Sequence, residues 1–434
     1  MAFQWVRMVR TTVSPGARCF ASMGPSLAPD KVTCVNSTGR QGQYVVGIIG
    51  GGQLARMMQQ AAISLGITVR LLAEGPKTSA AQVIHDVTVG DYNDPAVVRE
   101  FARGCDVITF DHEHVPTAIL AELEADGIAV RPGPEALIHA QDKAVMRARM
   151  EQIGAPNPRW RVCATPEDLQ AFGDENGWPV IAKTSRGGYD GKGVWKIDSP
   201  DHVGEPFEAL AGPASTVDGG AISREGVQIV AEEFVDFARE LSALVVRSPQ
   251  GQAAAWPISE SIQRDGICVE TLTPAPGMSE QQEAEWQQLA LRIAGELGVV
   301  GMLAVELMQR RDGSVVVNEL AMRPHNTGHW TIDGALTSQF DNHVRAVLDL
   351  PLGNPGLRAP AVVMANVLGG AEEDLTGALV HCYARDRELR AHLYGKSVRP
   401  GRKVGHVTAF GDDLELVRRR AAHAANYLMG DANA

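Results

Sequence analysis

The 434-residue sequence lacks three features that would each assign it to a particular class of protein. Its six cysteines are scattered without a C-x-x-C pair, so we expect neither a zinc knuckle nor a disulfide framework. No apolar run approaches the ~20 residues that a membrane helix needs. Positive charge is also scarce, because the formal net charge is -12, which argues against a general nucleic-acid binder. The remaining composition, 44% hydrophobic and 21% charged, is typical of a globular protein of two or three domains in a reducing compartment such as the cytoplasm.

Residues 1–43 differ from the rest of the chain in composition. They contain five basic residues and one acid, Asp30, among many Ser, Thr, Pro and Gly residues. They have no continuous apolar segment, so a secretory signal is not expected, although the composition permits a transit peptide. We interpret them as a disordered leader or as the product of a translation start placed too early, with Met23 as an alternative start, and exclude them from the fold.

A βαβ unit begins the folded part of the chain. Residues 44–50 form an apolar run typical of a buried parallel strand, and the sequence Gly50–Ala55 then opens a helix with a G-x-G-x-x-A turn. Glu74 follows the second predicted strand, as in dinucleotide-binding proteins. Three interpretations of the turn stay open: it binds a dinucleotide, it binds another anion such as a ribose phosphate, or its glycines only permit close packing. A later strand ends at the sequence 111–114, where we favour Glu113 as an acceptor for ligand hydroxyls over a histidine metal site.

Pro and Gly residues at 154–158 indicate a domain boundary. Beyond it, an apolar strand ends in Lys183, whose burial costs free energy unless an anion meets it. The loop 184–194 then carries four glycines and two cations between two strands, which favours a flexible cover over phosphates. The sequence 232–235, Glu-Glu-Phe-Val, ends a further strand and combines apolar and acceptor groups, as expected at the edge of an adenine ring.

A hairpin is predicted at Asp312-Gly313, because Asp-Gly between apolar runs is typical of a two-residue turn. Glu306 and Glu319 lie six residues to either side of this turn, so they should face each other. Like charges in this position destabilise a sheet, and Mg²⁺ bound by the carboxylates and by substrate phosphates would compensate. The donor-rich sequence 323–330, Arg-Pro-His-Asn-Thr-Gly-His-Trp, follows at once.

A basic segment near the C-terminus contrasts with the acidic chain. It contains Lys396, Arg399, Arg402, Lys403 and a possible charge on His406. We interpret it as a local phosphate site rather than as a solvated turn.

Taken together, the lysine-ended strand, the glycine-rich loop, the Glu-Glu-Phe-Val segment and the paired acids resemble the ATP-grasp enzymes. Within that superfamily, four motifs over residues 44–430 resemble the N5-carboxyaminoimidazole ribonucleotide synthases of purine biosynthesis: 50–57, 183–193, 318–330 and 399–406. The resemblance implies a mixed α/β and α+β fold with a Rossmann-like domain at 44–153, an ATP-grasp domain at 154–360 and a small, mostly β C-terminal domain at 361–434.

The resemblance also implies a reaction. ATP would phosphorylate bicarbonate to carboxyphosphate, and the exocyclic amine of 5-aminoimidazole ribonucleotide would be carboxylated, in a cytoplasmic homodimer that acts on small molecules and binds neither nucleic acid nor membrane. The ATP-binding residues would be Lys143, Lys183, the lid residues Gly188, Tyr189, Asp190, Gly191, Lys192, Gly193 and Val194, the hinge residues Glu232, Glu233, Phe234 and Val235, and Glu240, Asn318 and Glu319. Glu306 and Glu319 would bind Mg²⁺, while Arg323, His325 and Asn326 would be catalytic and hold bicarbonate. The aminoimidazole nucleotide would contact Gln53, Glu113, Tyr189, Asp190, Lys396, Arg399 and Arg402.

Two positions depart from the pattern of the relatives: Lys143 replaces an arginine that is frequent there, and Gln263 stands where a histidine is sometimes found. Three alternatives remain. A formate-using or amino-acid-using ligase would share the ATP site but not the sequences 323–330 and 399–406. An NAD-dependent dehydrogenase would explain the glycine turn and Glu74 but not the acid pair, and a nucleotide sensor would bind ATP without turnover.

Overall fold

The computed structural model describes residues 43–187, 193–211, 216–217, 220–221 and 226–431. The predicted leader, apart from Gln43, and the lid residues Gly188, Tyr189, Asp190, Gly191 and Lys192 lie outside the described residues. Within the described residues, no helix has the length and apolar character required to cross a bilayer.

A four-stranded parallel sheet with the strand order β3-β2-β1-β4 forms the first part of the chain. Helix α1 ends at Gly66, which adopts φ 66° and so closes the helix without the steric cost of a side chain. Beyond β4, residues 129–131 join the sheet through a single parallel bridge between Val130 and Ile108. The elements are β1 (Val45–Ile49), α1 (Gln53–Leu65), β2 (Thr68–Ala73), a 3-10 turn (Ala80–Gln82), β3 (Asp86–Val89), α2 (Pro95–Ala102), β4 (Val107–Phe110), α3 (Thr117–Ala125), α4 (Pro134–Gln141) and α5 (Lys143–Gln152).

A second sheet, with the order β5-β10-β6-β7, is antiparallel throughout. Its helix α6 begins where the sequence predicts, because Thr165 and Asp168 form a reciprocal capping box around Pro166. The elements of this part of the chain are β5 (Trp160–Cys163), α6 (Pro166–Asn176), β6 (Val180–Thr184), β7 (Val194–Ile197), a 3-10 turn (Pro200–His202), α7 (Glu205–Ala211), β8 (Thr216–Val217), β9 (Gly220–Ala221) and β10 (Ile229–Glu233). Strands β8 and β9 pair with each other in a separate two-stranded sheet.

The largest sheet has the order β16-β15-β11-β13-β14-β17-β19-β18, with β12 paired to β11. Strand β12 contains only three residues, and the sequence patterns did not indicate β13 and β14. The elements are β11 (Phe237–Arg247), β12 (Ala253–Ala255), β13 (Ser259–Arg264), β14 (Ile267–Thr273), α8 (Glu280–Glu296), β15 (Gly301–Arg310), β16 (Val315–Ala321), a 3-10 turn (Asn326–Gly328), α9 (Thr331–Gly334), α10 (Gln339–Val347), β17 (Ala361–Leu368), α11 (Leu375–Arg385), β18 (Arg390–Leu393), β19 (Lys403–Gly411) and α12 (Leu414–Leu428).

The C-terminal strands extend this sheet rather than forming a separate one, because β17 pairs with β14. The C-terminal domain, predicted to be mostly β, carries two helices, α11 and α12, beside its three strands. Helix α10 packs against β11 and β15 on one side and against α1 on the other, and thereby joins the first domain to the large sheet.

Two Asp-Gly pairs form different turns, and the two-residue turn predicted at Asp312-Gly313 is wrong. Residues 311–313 form a three-residue loop, because the N–H of Arg310 donates to the carbonyl of Ser314 (2.8 Å). The two-residue turn occurs instead at Asp265-Gly266, between β13 and β14, where both φ angles are positive (53° and 74°).

Candidate active site

Glu306 on β15 and Glu319 on β16 lie directly opposite each other, which is the predicted pairing. The reason differs from the prediction. The three-residue loop alone would place Asn318 opposite Glu306, but a β-bulge between Leu307 and Glu306 adds one residue to β16 and brings Glu319 into register. The bulge therefore determines which polar side chain faces Glu306.

The electrostatics of this pair favour a bound cation. Burial raises the pKa of Glu306 to about 8, with further contributions from the carboxylates of Glu319 and Glu240. Burial also raises the pKa of Glu240. Glu306 and Glu319 lie on adjacent, paired strands and repel each other unless a cation intervenes, and Glu240 adds to the negative charge at Glu306. The donor set is composed of oxygens, so it fits Mg²⁺, with phosphate and water oxygens as the remaining ligands.

Lys183, at the end of β6, is positioned by a buried ion-pair network. Its Nζ lies 2.8 Å from Oε2 of Glu232 and 3.3 Å from Oδ1 of Asn318. Glu232 also accepts from Nε of Arg147 at 2.7 Å, and Arg147 donates to the backbone carbonyls of Val317 (2.6 Å) and Asn318 (2.8 Å). Arg147 was not predicted as a site residue, although an arginine between Met146 and Met150 on an apolar helix face is a signal that it is buried and paired.

The carboxylates of the predicted hinge contact cations. Burial alone would raise the pKa of Glu232, but Lys183 and Arg147 outweigh it and lower the pKa to about 2. Glu233 accepts from Arg159 and Arg310, both at 2.6 Å. These side chains are therefore committed to ion pairs, which leaves the backbone and the apolar side chains of the segment for a ligand. Val235 packs with Met308 and Val316 in a small apolar cluster, and Phe234 is 43% exposed.

Lys143 and the loop 323–329 lie beside the carboxylate pair. Nζ of Lys143 is 3.8 Å from Oε2 of Glu319, and Nε2 of His325 is 3.3 Å from Oε1 of Glu306. Burial, with the charges of Arg323 and Lys403, lowers the pKa of His325 well below its ordinary value, so the imidazole is neutral.

Arg323 and Asn326 occupy the same loop in contrasting environments. Nε of Arg323 donates to Oε2 of Glu113 at 3.1 Å, and the other oxygen of Glu113 accepts from the N–H of Met322 at 2.7 Å. Glu113 thus orients Arg323 across the domain boundary, whereas a role as an acceptor for ligand hydroxyls was predicted. Both polar atoms of the Asn326 side chain are buried without a hydrogen-bond partner among the described residues.

The glycine turn of the first domain already contacts carboxylates. Asp111 accepts from the N–H groups of Gly52 (2.9 Å) and Ala55 (2.7 Å), and Glu74 accepts from that of Gly51 (3.1 Å). A Cβ at Gly52 would lie only 2.0 Å from Oδ2 of Asp111. Of the three interpretations of this turn, the geometry favours close packing, because Asp111 uses the donors that a dinucleotide or ribose phosphate would need.

Helix α1 and the segment before β19 meet at Gln53 and Lys396. Nζ of Lys396 donates to Oε1 of Gln53 at 2.6 Å. Lys396 also lines an open cavity of about 390 Å³, whose walls are Arg56, Glu373, Asp374, Leu375, Thr376, Leu393, Gly395, Lys396, Ser397 and Val398. Of the other predicted cations, Arg402 donates to Oγ of Ser397 at 2.9 Å and Arg399 is exposed.

Simple strand alternation would place Lys403 and His406 on opposite faces of β19. A bulge in β19 pairs Lys403 with Leu368, whereas His406 pairs with Asn366. Because of the bulge, Lys403 and His406 leave the sheet on the same face. The charge of Lys403 acts to lower the pKa values of Glu306 and His325. His406, predicted as a possible cation, is fully buried, and burial lowers its pKa well below the ordinary value; that prediction is wrong.

Comparison with known proteins agrees with this geometry. Residues 44–141 match the ribonucleotide synthetase preATP-grasp domain, 148–340 the ATP-grasp domain and 362–420 the phosphoribosylaminoimidazole carboxylase C-terminal domain. The N5-carboxyaminoimidazole ribonucleotide synthase of Mycobacterium bovis is 49% identical over 388 residues, which are 88% of this chain and 87% of the relative. The chain belongs to the N5-carboxyaminoimidazole ribonucleotide synthases.

Solved structures of other synthases share the fold. The synthetase from Thermus thermophilus superposes with a TM-score of 0.77 at 35% identity and covers 89% of this chain and 99% of its own. The synthase from Aspergillus clavatus, in complex with ADP and 5-aminoimidazole ribonucleotide, gives a TM-score of 0.79 at 30% identity and covers 89% of this chain and 98% of its own. The fold class predicted for this synthase from its sequence is therefore confirmed.

Proposed function

We propose that this synthase carboxylates the exocyclic amine of 5-aminoimidazole ribonucleotide, with ATP and bicarbonate as co-substrates, in purine biosynthesis. Family membership supports the reaction, and the Aspergillus relative binds ADP and the aminoimidazole nucleotide. The observation that carries the proposal is that Lys143 lies 3.8 Å from Glu319 and His325 of the loop 323–329 lies 3.3 Å from Glu306, so a cation and this loop both adjoin the carboxylate pair.

The first step transfers the γ-phosphoryl group of ATP to a bicarbonate oxygen, which gives carboxyphosphate and ADP. Lys183, held by Glu232 and Asn318, and Lys143 meet the phosphates. The hinge supplies backbone groups and the Val235 cluster to adenine, and Glu240 meets the ribose. When bound by Glu306 and Glu319, Mg²⁺ would neutralise phosphate charge. Phosphoryl transfer of this kind depends on position and charge neutralisation, so no side-chain nucleophile is required.

The second step forms the new carbon–nitrogen bond. Arg323, oriented by Glu113, holds the carboxylate of carboxyphosphate together with His325 and Asn326. The exocyclic amine attacks the carboxyl carbon directly or after CO₂ is released, and phosphate leaves. Gln53 and Lys396 hold the aminoimidazole nucleotide, and Arg399 and Arg402 bind its phosphate.

The remaining features of the proposal concern organisation. We propose domain boundaries near residues 153 and 360, ATP contacts from the loop 188–194, a homodimeric assembly and a cytoplasmic location. Light scattering of the purified chain tests the assembly.

The function is tested by ADP release from ATP and Mg²⁺, with 5-aminoimidazole ribonucleotide and bicarbonate each added or withheld. We expect rapid ADP release only when both are present. ADP release that depends on neither, or that responds to formate or an amino acid instead, would contradict the acceptor and leave the ATP-grasp site intact.

A further inference from the structure

Several buried polar atoms without hydrogen-bond partners lie in or near the loop 323–329. Among the described residues, Nε2 of His329, Nε2 of His406, Oδ1 of Asn366, Oγ1 of Thr408 and both polar atoms of Asn326 have no protein partner. Buried polar groups in folded proteins are nearly always hydrogen-bonded to protein or to ordered water. The atoms of His329, His406 and Asn366 indicate a common ligand, because the two rings are neighbours and Asn366 is paired with His406.

The hydrogen bonds of Gln339 determine the tautomer of His329. The Gln339 side chain accepts from the N–H of His325 (2.8 Å) and donates to its carbonyl (2.7 Å), so the positions of its oxygen and nitrogen are fixed. The same nitrogen lies 3.3 Å from Nδ1 of His329. Because an amide nitrogen only donates, Nδ1 accepts, and the imidazole proton of His329 is on Nε2.

His406 has the same tautomer. The Tyr394 hydroxyl is buried and lies 2.8 Å from Nδ1 of His406. Among the described residues this hydroxyl has no other acceptor, so it donates to Nδ1 instead of leaving its own proton unsatisfied, and the proton of His406 is on Nε2. The rings of His329 and His406 lie 5.1 Å apart between centroids, a separation at which one small ligand can reach both Nε2 atoms.

Acceptors are available beside these donors. Asn366 is the register partner of His406, so both side chains leave the sheet on the same face, about 5 Å apart. Its amide nitrogen donates to the carbonyl of Cys268 (2.8 Å), which leaves Oδ1 as an acceptor. Two donors and at least one acceptor are the surroundings that hold a buried water, which typically makes about three hydrogen bonds.

We infer that His329 and His406 donate to one shared buried water, and that this bridge couples the two halves of the active site. His329 follows the loop that carries Arg323 and Asn326, whereas His406 lies three residues after Lys403 on β19. The bridge would hold the loop 323–329, which contacts the carboxyl group, in a fixed position relative to β19, which lies beside the proposed site of the aminoimidazole nucleotide. The two histidines are positioning residues, and the coupling, though not the water, rests on the proposed function.

The water is tested on the unaltered chain by a high-resolution crystal structure. We expect a water oxygen within about 3.2 Å of Nε2 of both histidines, and ¹⁵N NMR of the imidazoles should place both protons on Nε2. A site without a water that reaches both rings, a different bridging ligand, or a proton on Nδ1 of either ring would overturn the assignment.

The coupling is tested by His406→Phe and His406→Gln, because glutamine retains an N–H donor near the position of Nε2. For the phenylalanine variant, we expect KM for the aminoimidazole nucleotide to rise about five- to tenfold, as for one buried hydrogen bond. KM for ATP should stay constant, and more than one ADP should form per carboxylated product. The glutamine variant should recover most of the loss.

His381→Phe is the matched control, because His381 stacks on Tyr427 between the C-terminal helices, away from this region. If His406→Phe behaves like the control, or if glutamine does not rescue, the coupling is refuted. If His406→Phe does not fold, His406→Gln still tests the coupling and the crystal structure still tests the water. Failure of the unaltered chain to release ADP in response to the aminoimidazole nucleotide would refute the proposed function and leave the water assignment standing.

Discussion

The Glu232 network allows a quantitative prediction for Glu232→Gln. Glu232 is 2% exposed and joins Lys183 and Arg147, and its pKa falls from 4.5 to about 2. Each tenfold change in proton affinity corresponds to about 1.4 kcal/mol, so the pairing stabilises the folded chain by roughly 3 kcal/mol at neutral pH. Glutamine leaves two buried cations unpaired, which typically costs about 3–5 kcal/mol.

The sign of the pH dependence follows from the lowered pKa. The contribution is fully present above pH 4.5, where the carboxyl is ionised in both states, and it is lost as the pH falls through the folded value of about 2. Urea unfolding of the wild type should therefore show a loss of stability in this window that Glu232→Gln does not show. Because Lys183 loses its anchor, KM for ATP should also rise.

Glu233→Gln is the matched control, since the neighbouring carboxylate contacts Arg159 and Arg310 nearer the surface. Pairs of this kind contribute about 0–1 kcal/mol. We expect the urea midpoint of Glu233→Gln to stay close to that of the wild type. Equal effects of the two variants on the unfolding free energy would refute the argument that burial of the ion pair makes the difference.

Three further predictions concern the metal, acid stability and acceptor binding. Glu319→Gln should abolish ADP release with little change in the urea midpoint, because Glu319 is a partly exposed proposed metal ligand (47% side-chain exposure). Burial lowers the pKa of His343 to about 3, so between pH 6.5 and pH 3 only the unfolded chain binds this proton. The free energy of unfolding should therefore fall by about 1.4 kcal/mol for each unit by which the pH is lowered in this range, and His343→Gln should make this slope shallower. Lys396→Met should raise KM for the aminoimidazole nucleotide at least tenfold, as expected for a charged hydrogen bond of about 1.5–3 kcal/mol, while KM for ATP stays constant.

Each of these has a result that would contradict it. Wild-type turnover in Glu319→Gln would remove the metal assignment. An unchanged pH slope in His343→Gln would mean that other groups dominate acid unfolding. For Lys396→Met, equal rises in KM for the aminoimidazole nucleotide and in KM for ATP would indicate a general disturbance of the site and not the loss of an acceptor contact. The control is Arg418→Met on helix α12, where Arg418 pairs with Glu270.

Local patterns in the sequence were sufficient for much of the fold. The apolar run before Gly50 specifies a parallel strand, and the capping residues Thr165 and Ser279 place the starts of α6 and α8. These features depend on neighbours a few residues away, so the sequence alone contains them. The fold class also followed from motif order. The short strands β13 and β14 were missed because their alternation of polar and apolar residues is weak, and they depend on pairing with distant strands.

The candidate site was likewise predictable only in part. The residue types were evident in the sequence: acids on a hairpin, a lysine at a strand end and a cluster of cations near the C-terminus. Their partners were not, because the ion pairs of Glu232 and the contact between Gln53 and Lys396 join residues far apart in the chain.

Two β-bulges, which only the tertiary structure reveals, determine the face on which charged residues lie. One in β16 brings Glu319 opposite Glu306, and one in β19 turns Lys403 toward the same carboxylates. A strand has a side-chain period of two, so one inserted residue reverses the face of everything beyond it. The sequence by itself determined which chemical groups the site contains, and the pairing of distant strands decided how they face one another.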